Sequence, residues 1–524
     1  MYRRGFPQGM PHRPMDRNIM NTTIHNLKMH HITKRFPGIL ALDDVSIEVN
    51  AGQVLALVGE NGAGKTTLMN VLMGLYKSDE GRISINDETV SFQSPSDAYS
   101  HGIGMVHQRY MLVPNLTVTE NIALGYRHTV HRLRLDLDTV RSRIDEVSSK
   151  YGLSVDPNAY IWQLSVGEQQ KVELVKALCL GAKLMILDEP TSALTPQEID
   201  ELIDLLRVMK KEIPLIFISH KLKEVKELSD DFAVLRHGKI VYQGNTCDCD
   251  IAQMASLMTG HEVKLARNSE KKHATAPALI LKDLNVRSDR GFLALNGFNL
   301  TINRGEIMGL AGVSGNGQKE LAQVINGLRK AESGSIVLLG KELLGLTPGQ
   351  IIEKGMGYIP EDRNTEGIVP SFSIKENLIL KDADSSLFSS HHLLNHHIVE
   401  ENADKLVGNY DIRCAGTSIS AGSLSGGNIQ KVILARELTR APKFLIAVYP
   451  TRGLDLGAAE FIHDRLLEIR KKGTGILLIS EELDEIMRLS DRISVIFKGQ
   501  IQGILDAKTA TRKQIGLLMA GVKN

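Results

Sequence analysis

The residues able to do chemistry fall in a few short strings. GENGAGKTT (Gly59–Thr67) fits the spacing G-x-x-x-x-G-K-[ST] and stands between an apolar run, Val54–Val58, and a helical stretch, Leu68–Leu75. A glycine-rich turn ahead of a helix points backbone N–H groups at phosphate oxygens. Gly59, Glu60, Asn61, Gly62, Ala63, Gly64 and Thr67 therefore read as a phosphate cradle, with Lys65 reaching the β- and γ-phosphates and the Thr66 hydroxyl suited to Mg²⁺. LMILDE (Leu184–Glu189) is an apolar strand ending in two carboxylates. Asp188 is placed to hold Mg²⁺ and Glu189 to polarise an attacking water. His220, closing PLIFISH, can donate to a terminal phosphate as charge develops, and Gln108, in GMVHQ, is expected beside the metal and the water. Phe36, ahead of the first strand pair, reads either as a stacking surface for a base or as core.

Holding these groups requires strands and helices, and the chain writes them twice. LALDDVSIEVNAGQVLALVGE (40–60) returns as LALNGFNLTINRGEIMGLAGV (293–313), an offset of 253. QLSVGEQQKVELVKAL (163–178) returns as SLSGGNIQKVILAREL (423–438), and LMILDEPTSALT (184–195) as FLIAVYPTRGLD (444–455), both offset by 260. The expected organisation is a disordered tail over 1–26 (with Met20 a candidate start), a first domain over 27–260, a polar surface linker over 261–277 and a second domain over 278–520. Short β-rich runs alternate with amphipathic stretches such as PQEIDELIDLLRVMKK, which predicts an α/β fold with a mostly parallel sheet. The region Gln93–Trp162 reads as a separate helical lobe.

Lys+Arg is 62 and Asp+Glu 61, so bulk charge does not drive nucleic-acid binding. No apolar run approaches the roughly 18–20 residues that cross a bilayer, and the basic N-terminus has no signal-type apolar core. Four cysteines are too few for a disulfide framework. Of the histidines in HHLLNHH, His392 and His396 alone have helical ligand spacing, so a loop or a solvated helix is expected rather than a metal site. Cys247 and Cys249 offer two thiols without partners, and Trp162 reads as packing.

At LSVGE (Leu164–Glu168) and LSGGN (Leu424–Asn428) the chain resembles the ATP-binding cassette ATPases, with two cassettes in tandem. The resemblance implies two tandem P-loop NTPase domains. Each would have a mixed, largely parallel sheet core, a helical lobe and an antiparallel β subdomain. It implies ATP and Mg²⁺, and a head-to-tail use of the signatures in which Ser425, Gly426 and Gly427 serve the first P-loop. Within the family the chain is similar to the energising subunits of bacterial nucleoside and simple-sugar importers. IAVYPTRGLDLGAAEFIHDRL (Ile446–Leu466) leans towards purine-nucleoside uptake. A ribose- or galactose-type sugar importer is the alternative, and a soluble tandem cassette acting on ribosomes or nucleic acid is the rival of another class. The importer reading implies two integral-membrane permease subunits, a substrate-binding lipoprotein, a peripheral place on the cytoplasmic face of the membrane and no nucleic acid. Permease contacts are expected near Gln108–Pro114 and Glu361–Pro370.

The two copies differ where chemistry resides. In GVSGNGQKE (Gly312–Glu320) the glycines Gly312, Gly315 and Gly317 persist, but Gln318 replaces Lys65 and Lys319 replaces Thr66. Val448 and Tyr449 replace Asp188 and Glu189, Glu481 replaces His220, Glu361 replaces Gln108, and Asp289 replaces Phe36. Valine binds no Mg²⁺ and an anionic Glu481 repels a terminal phosphate, so the second site is expected not to hydrolyse, although its amides can still bind a nucleotide. Val166 and Thr195, in the first signature and the segment after its acidic strand, add further departures to the partner set of that second site.

Overall fold

The computed structural model describes residues 23–108, 110–125, 137–191, 194, 196–260, 266–268, 276–390 and 393–522. The chain divides into two compact units, Met1–Glu262 and Val263–Asn524. The strands of the first unit are β1 (Asn26–Phe36), β2 (Ile39–Asn50), β3 (Val54–Val58), β4 (Glu80–Ile85), β5 (Glu88–Val90), β6 (Ile103–Val106), β7 (Leu184–Asp188), β8 (Leu215–Ile218), β9 (Asp231–Arg236) and β10 (Lys239–Asn245). Those of the second are β11 (Pro277–Arg287), β12 (Leu293–Asn303), β13 (Ile307–Ala311), β14 (Ser333–Leu338), β15 (Lys341–Glu342), β16 (Met356–Ile359), β17 (Ser389–Ser390), β18 (Leu393–Leu394), β19 (Phe444–Val448), β20 (Gly475–Ile479), β21 (Arg492–Phe497) and β22 (Gln500–Asp506).

In the first unit a six-stranded sheet of order β10-β9-β3-β8-β7-β6 is parallel except for the edge pair β9–β10. Its central strand β3, VLALV, is buried at every position. An unbroken apolar run is what a strand covered on both faces requires. A second sheet, β2-β1-β4-β5, is antiparallel, and β1 alternates buried and partly exposed residues over its first half. Side chains of both sheets and of the helix Lys65–Leu72 share one core that includes Leu27, Val45, Leu55, Leu68 and Leu235. The second unit repeats this plan, with sheets β12-β11-β14-β15 and β16-β19-β20-β13-β21-β22.

Local sequence sets several helix starts. Thr117 and Ser165 each cap a helix in a reciprocal box with the glutamate three residues on. Among the described residues of Gln93–Trp162 most are helix and loop, including Val118–Ala123 and Leu137–Tyr151, but Ile103–Val106 leaves that lobe to join the core sheet beside β7.

Three expectations change. The tail read as disordered over 1–26 ends earlier, since Ile24 is buried in the first core and Asn26 opens β1. Trp162 is not packing: it is 63% exposed and stacked on Tyr160. The histidine run, read as a loop or a solvated helix, passes through the exposed strand Leu393–Leu394 into a helix that Asn395 caps and that begins with exposed His396 and His397, while His391 and His392 lie outside the described residues. The stretch read as surface linker contributes to the second unit. The Ala266 N–H donates to buried Glu460 at 2.7 Å, and Asn268 bonds the Arg488 and Leu489 carbonyls and Asp491. Glu460 belongs to a buried network: His463 stands 3.3 Å from it and 2.8 Å from Glu485, and Arg488 bonds both Glu460 and His463. Thr451 also donates to Glu485, 2.7 Å away.

Candidate functional site

The P-loop joins β3 to the helix Lys65–Leu72. Gly64 adopts φ 111°, and a Cβ there would come within 2.8 Å of the Ala41 carbonyl oxygen, so the loop packs on β2 only as glycine. Lys65 is almost fully buried and its ammonium donates to the Gly59 and Glu60 carbonyls at 2.6 and 2.9 Å. Burial depresses the ammonium below its ordinary value, opposed by the carboxylates of Glu189, Asp188 and Glu60. Thr66 is exposed at the first turn of the helix.

Asp188 ends β7 and Glu189 follows it. Glu189 has φ 46°, a conformation a non-glycine residue rarely takes, and its N–H donates to the Ile218 carbonyl at 2.9 Å. That backbone turn aims the carboxylate between two partners: Gln108 Nε2 donates to Oε2 at 2.8 Å and His220 Nδ1 donates to Oε1 at 2.9 Å. Burial opposes ionisation of Glu189, but the hydrogen bond and charge of His220, then Lys65 and Lys221, hold its pKa below the ordinary value. Asp188 goes the other way: burial and the neighbouring Glu189 push it up to about 6, with Lys65 resisting. One carboxylate is thus kept ionised and fixed. The other is held in surroundings that a divalent cation would relieve, and the hard oxygens of Asp188, Gln108 and Thr66 suit Mg²⁺.

Phe36 lies at the β1–β2 hairpin, edge-on to Tyr76 at 5.3 Å, with the Lys34 ammonium 5.5 Å from its ring centre.

The second unit keeps the backbone and changes the groups. Gly317 has φ 107° against Ala294 and Leu295 of the equivalent hairpin. Gln318, 3% exposed, takes up the position of the lysine, its Nε2 donating to the Val313 carbonyl at 3.0 Å. Lys319 is exposed. Tyr449 repeats φ 46° and its N–H bonds the Ile479 carbonyl at 2.8 Å, while Val448 is 2% exposed. Burial, then Glu481 and Glu361, push the Tyr449 phenol far above its ordinary value, so it is no base. Glu361 pairs with Arg452 at 3.0 Å, and the Arg452 guanidinium lies 5.5 Å from the Tyr449 ring centre. The Phe36–Tyr76 contact has no equivalent: Asp289 and Arg329 form an ion pair at 2.6 Å.

The signatures differ in ways the strings alone do not convey. Ser165 caps its helix, Val166–Cys179, accepting from the Glu168 N–H at 3.3 Å, and the Glu168 carboxylate accepts from the Ser165 N–H at 2.7 Å. Val166 is exposed, and the Glu198 carboxylate stands where a side chain at Gly167 would go. Ser425 makes no such cap to its helix, Gly426–Thr439; its hydroxyl accepts from Asn428 Nδ2 at 2.9 Å. At Gly426 a Cβ would lie 3.0–3.2 Å from the guanidinium of Arg363, and at Gly427 it would meet only Ala458, at 3.4 Å. Arg363, Glu198, Arg452 and Tyr76 escape a motif reading. Laying one half over the other at an offset of 253 sets Tyr110 against Arg363, a signal that was there to find. Thr195 lies outside the described residues.

The family described as "ABC transporter" matches residues 42–192 and 295–452, one match in each unit. The chain belongs to the ABC transporter family. ABC relatives align along nearly its whole length. The nucleoside import ATP-binding protein NupA of Lactococcus lactis is 44% identical over 94% of this chain and 98% of its own. The guanosine import ATP-binding protein NupO of Bacillus subtilis is 44% identical over 94% and 97%. The glucose import ATP-binding protein TsgD13 of Haloferax volcanii is 42% identical over 94% and 96%. Among solved structures, the complex of archaeal ribosomal stalk protein aP1 and ribosome recycling factor aABCE1 matches with TM-score 0.62 at 18% identity over 94% of this chain and 92% of that one, a likeness of fold. Among the described residues no helix is long and apolar enough to cross a membrane, and no group of three His, Cys, Asp or Glu side chains could hold a metal ion.

Proposed function

We propose that the chain is the ATP-hydrolysing subunit of an importer of nucleosides, purine nucleosides first among them, with one hydrolytic site. The observation that carries hydrolysis is Glu189, ionised and clamped between Gln108 and His220 at 2.8 and 2.9 Å. Glu189 orients and polarises the attacking water. His220, already aligned by Glu189, donates to the terminal phosphate. The P-loop amides and Lys65 hold the phosphate chain, and Phe36 stacks on the base. Ser425, Gly426 and Gly427 are the signature residues assigned to ATP. Mg²⁺, held through Asp188, Thr66 and Gln108, would neutralise phosphate charge. The second P-loop, with Gln318, Lys319, Val448, Tyr449, Glu361 and Glu481 at the reactive positions, holds a nucleotide without cleaving it.

Nucleoside import is supported by the relatives NupA and NupO. Glucose import is the second reading, favoured by TsgD13 at 42% identity. In either case two integral-membrane permeases, a substrate-binding lipoprotein and a peripheral place on the cytoplasmic face follow. The exposed Met111, Val113, Tyr160 and Trp162 offer apolar surface for a permease. The deciding experiment is uptake of labelled guanosine, adenosine and glucose by cells with and without the gene, complemented by wild type or Glu189→Gln. Loss of nucleoside uptake alone, restored only by wild type, is expected. Loss of glucose uptake alone would transfer the reading to sugars.

A further inference from the structure

We infer that the second P-loop is a site for a nucleoside diphosphate held without Mg²⁺, and that Tyr449 shuts a triphosphate out of it. The inference deepens the proposal above that this loop holds a nucleotide without cleaving it, and rests on it.

The loop keeps the shape that cradles phosphate. Gly315 and Gly317 have φ 87° and 107°, against 80° and 111° at Gly62 and Gly64 of the first unit, and the family match runs through both loops. Backbone N–H groups turned this way at the start of the helix Gln318–Ile325 favour an anion whatever the side chains are. What differs is the space beyond the loop. A terminal phosphate has to lie between the loop and the residue that follows the acidic strand, because a water held at that residue attacks it. In the first unit Lys65 interacts across this gap with the carboxylates of Glu189 and Asp188, and Glu189 is held by Gln108 and His220. In the second unit a side chain fills it. Tyr449 is buried and reaches from the end of β19 until its phenol is in hydrogen-bonding contact with Ser314 of the loop. Two groups that touch leave no room for a phosphoryl group between them.

Charge adds to the exclusion. Glu481 and Glu361 both act on that phenol, so a third phosphate would meet two carboxylates, one of them paired with Arg452 at 3.0 Å. Mg²⁺, which would offset such charge, does not fit: Val448 has no oxygen to give where Asp188 stands. Gln318 turns its amide back into the loop, its Oε1 accepting from the Asn316 N–H at 3.1 Å and its Nε2 donating to the Val313 carbonyl at 3.0 Å. Lys319 supplies positive charge instead. It is exposed in the first turn of the helix, where Thr66 stands in the first unit, and its charge is felt at Asp289. An ammonium at that place meets a β-phosphate directly, with no metal between them. The α- and β-phosphates thus keep a cradle that the γ-phosphate lacks.

The test is equilibrium binding to the full-length chain carrying Lys65→Ala, which weakens the first site. The probes are labelled ADP and β,γ-imido-ATP, each in Mg²⁺ and in EDTA. ADP is expected to bind about tenfold or more tighter than the triphosphate, because the filled gap and the carboxylates act only on the third phosphate, and EDTA should change its affinity by less than about twofold. Lys319→Glu should weaken ADP by about tenfold or more. Tyr449→Leu, which stays apolar but is too short to reach Ser314, should bring the triphosphate to within about threefold of ADP. Equal affinity for the two probes, ADP binding that EDTA abolishes, ADP binding untouched by Lys319→Glu, or a triphosphate still excluded from Tyr449→Leu each overturns the inference and leaves the nucleotide-holding reading standing. Binding of neither probe sinks that reading with it.

Discussion

At the end of β7 the chain places Asp188 and Glu189; at the end of β19 it places Val448 and Tyr449. The backbones repeat each other: φ is 46° at both Glu189 and Tyr449, and each N–H bonds the carbonyl ending the neighbouring strand, at 2.9 and 2.8 Å. The sheet therefore fixes where a reactive group would stand, and the side chain alone decides whether it reacts. The comparison also has a stability side. The first unit keeps two carboxylates largely buried and side by side, one pushed up to about 6, while the second fills the same volume with a valine and a neutral phenol. The pair proposed to be catalytic is held against the preference of the fold, whereas the second unit fills the same positions as packing favours.

The largest expected break in that comparison is Glu189→Gln, which should slow ATP hydrolysis by about 100-fold or more, since a positioned general base contributes roughly 10²–10⁴-fold. Tyr449→Phe should change the rate less than twofold; a larger change would give the second unit a chemical part. Next, Val448→Asp should lower the stability of the second unit by about 2–4 kcal/mol in denaturant unfolding, because it buries a carboxylate without a partner, and it should not create a hydrolytic site. The mirror change, Asp188→Val, should abolish turnover while stabilising the metal-free first unit by about 1 kcal/mol at neutral pH. Its sign follows from the raised pKa of Asp188: ionising it above about 6 costs folding energy that valine does not incur. The smallest effect concerns His463, which hydrogen bonds and charge from Glu460 and Glu485 raise to about 9 against the effect of burial. The folded state holds this proton more tightly than the unfolded one, so the stabilisation is complete below about pH 6.5 and is lost as pH rises through about 9. Unfolding midpoints of the second unit should fall between pH 8 and 10. The first unit, with Ile203 at the equivalent position, should show no such fall from this source, and neither should His463→Ile.

Groups whose meaning depends on near neighbours in the chain were legible in the sequence. The P-loop glycines, Lys65 and the acids ending an apolar strand carry their context within ten residues, and the internal repeat is written in the sequence itself. What escaped depends on distant approach. Arg363 is sixty-odd residues from Gly426, and Glu198 about thirty from Gly167, so neither string announces the charge at its signature. Trp162 was misread because its exposure is set by another segment: its N–H bonds the Pro114 carbonyl, which seats it at the lobe surface beside Tyr160.

The amide that Ala266 gives to Glu460 bears on how the protein can be divided. A fragment begun at the first strand of the second unit would leave a buried carboxylate one donor short and strip Asn268 from the carbonyls of Arg488 and Leu489. Chimeras that exchange the second half between relatives should therefore be joined ahead of Ala266. Grafts joined at 277 should yield less soluble protein than grafts joined a dozen or so residues earlier, although both carry every strand and helix of the cassette.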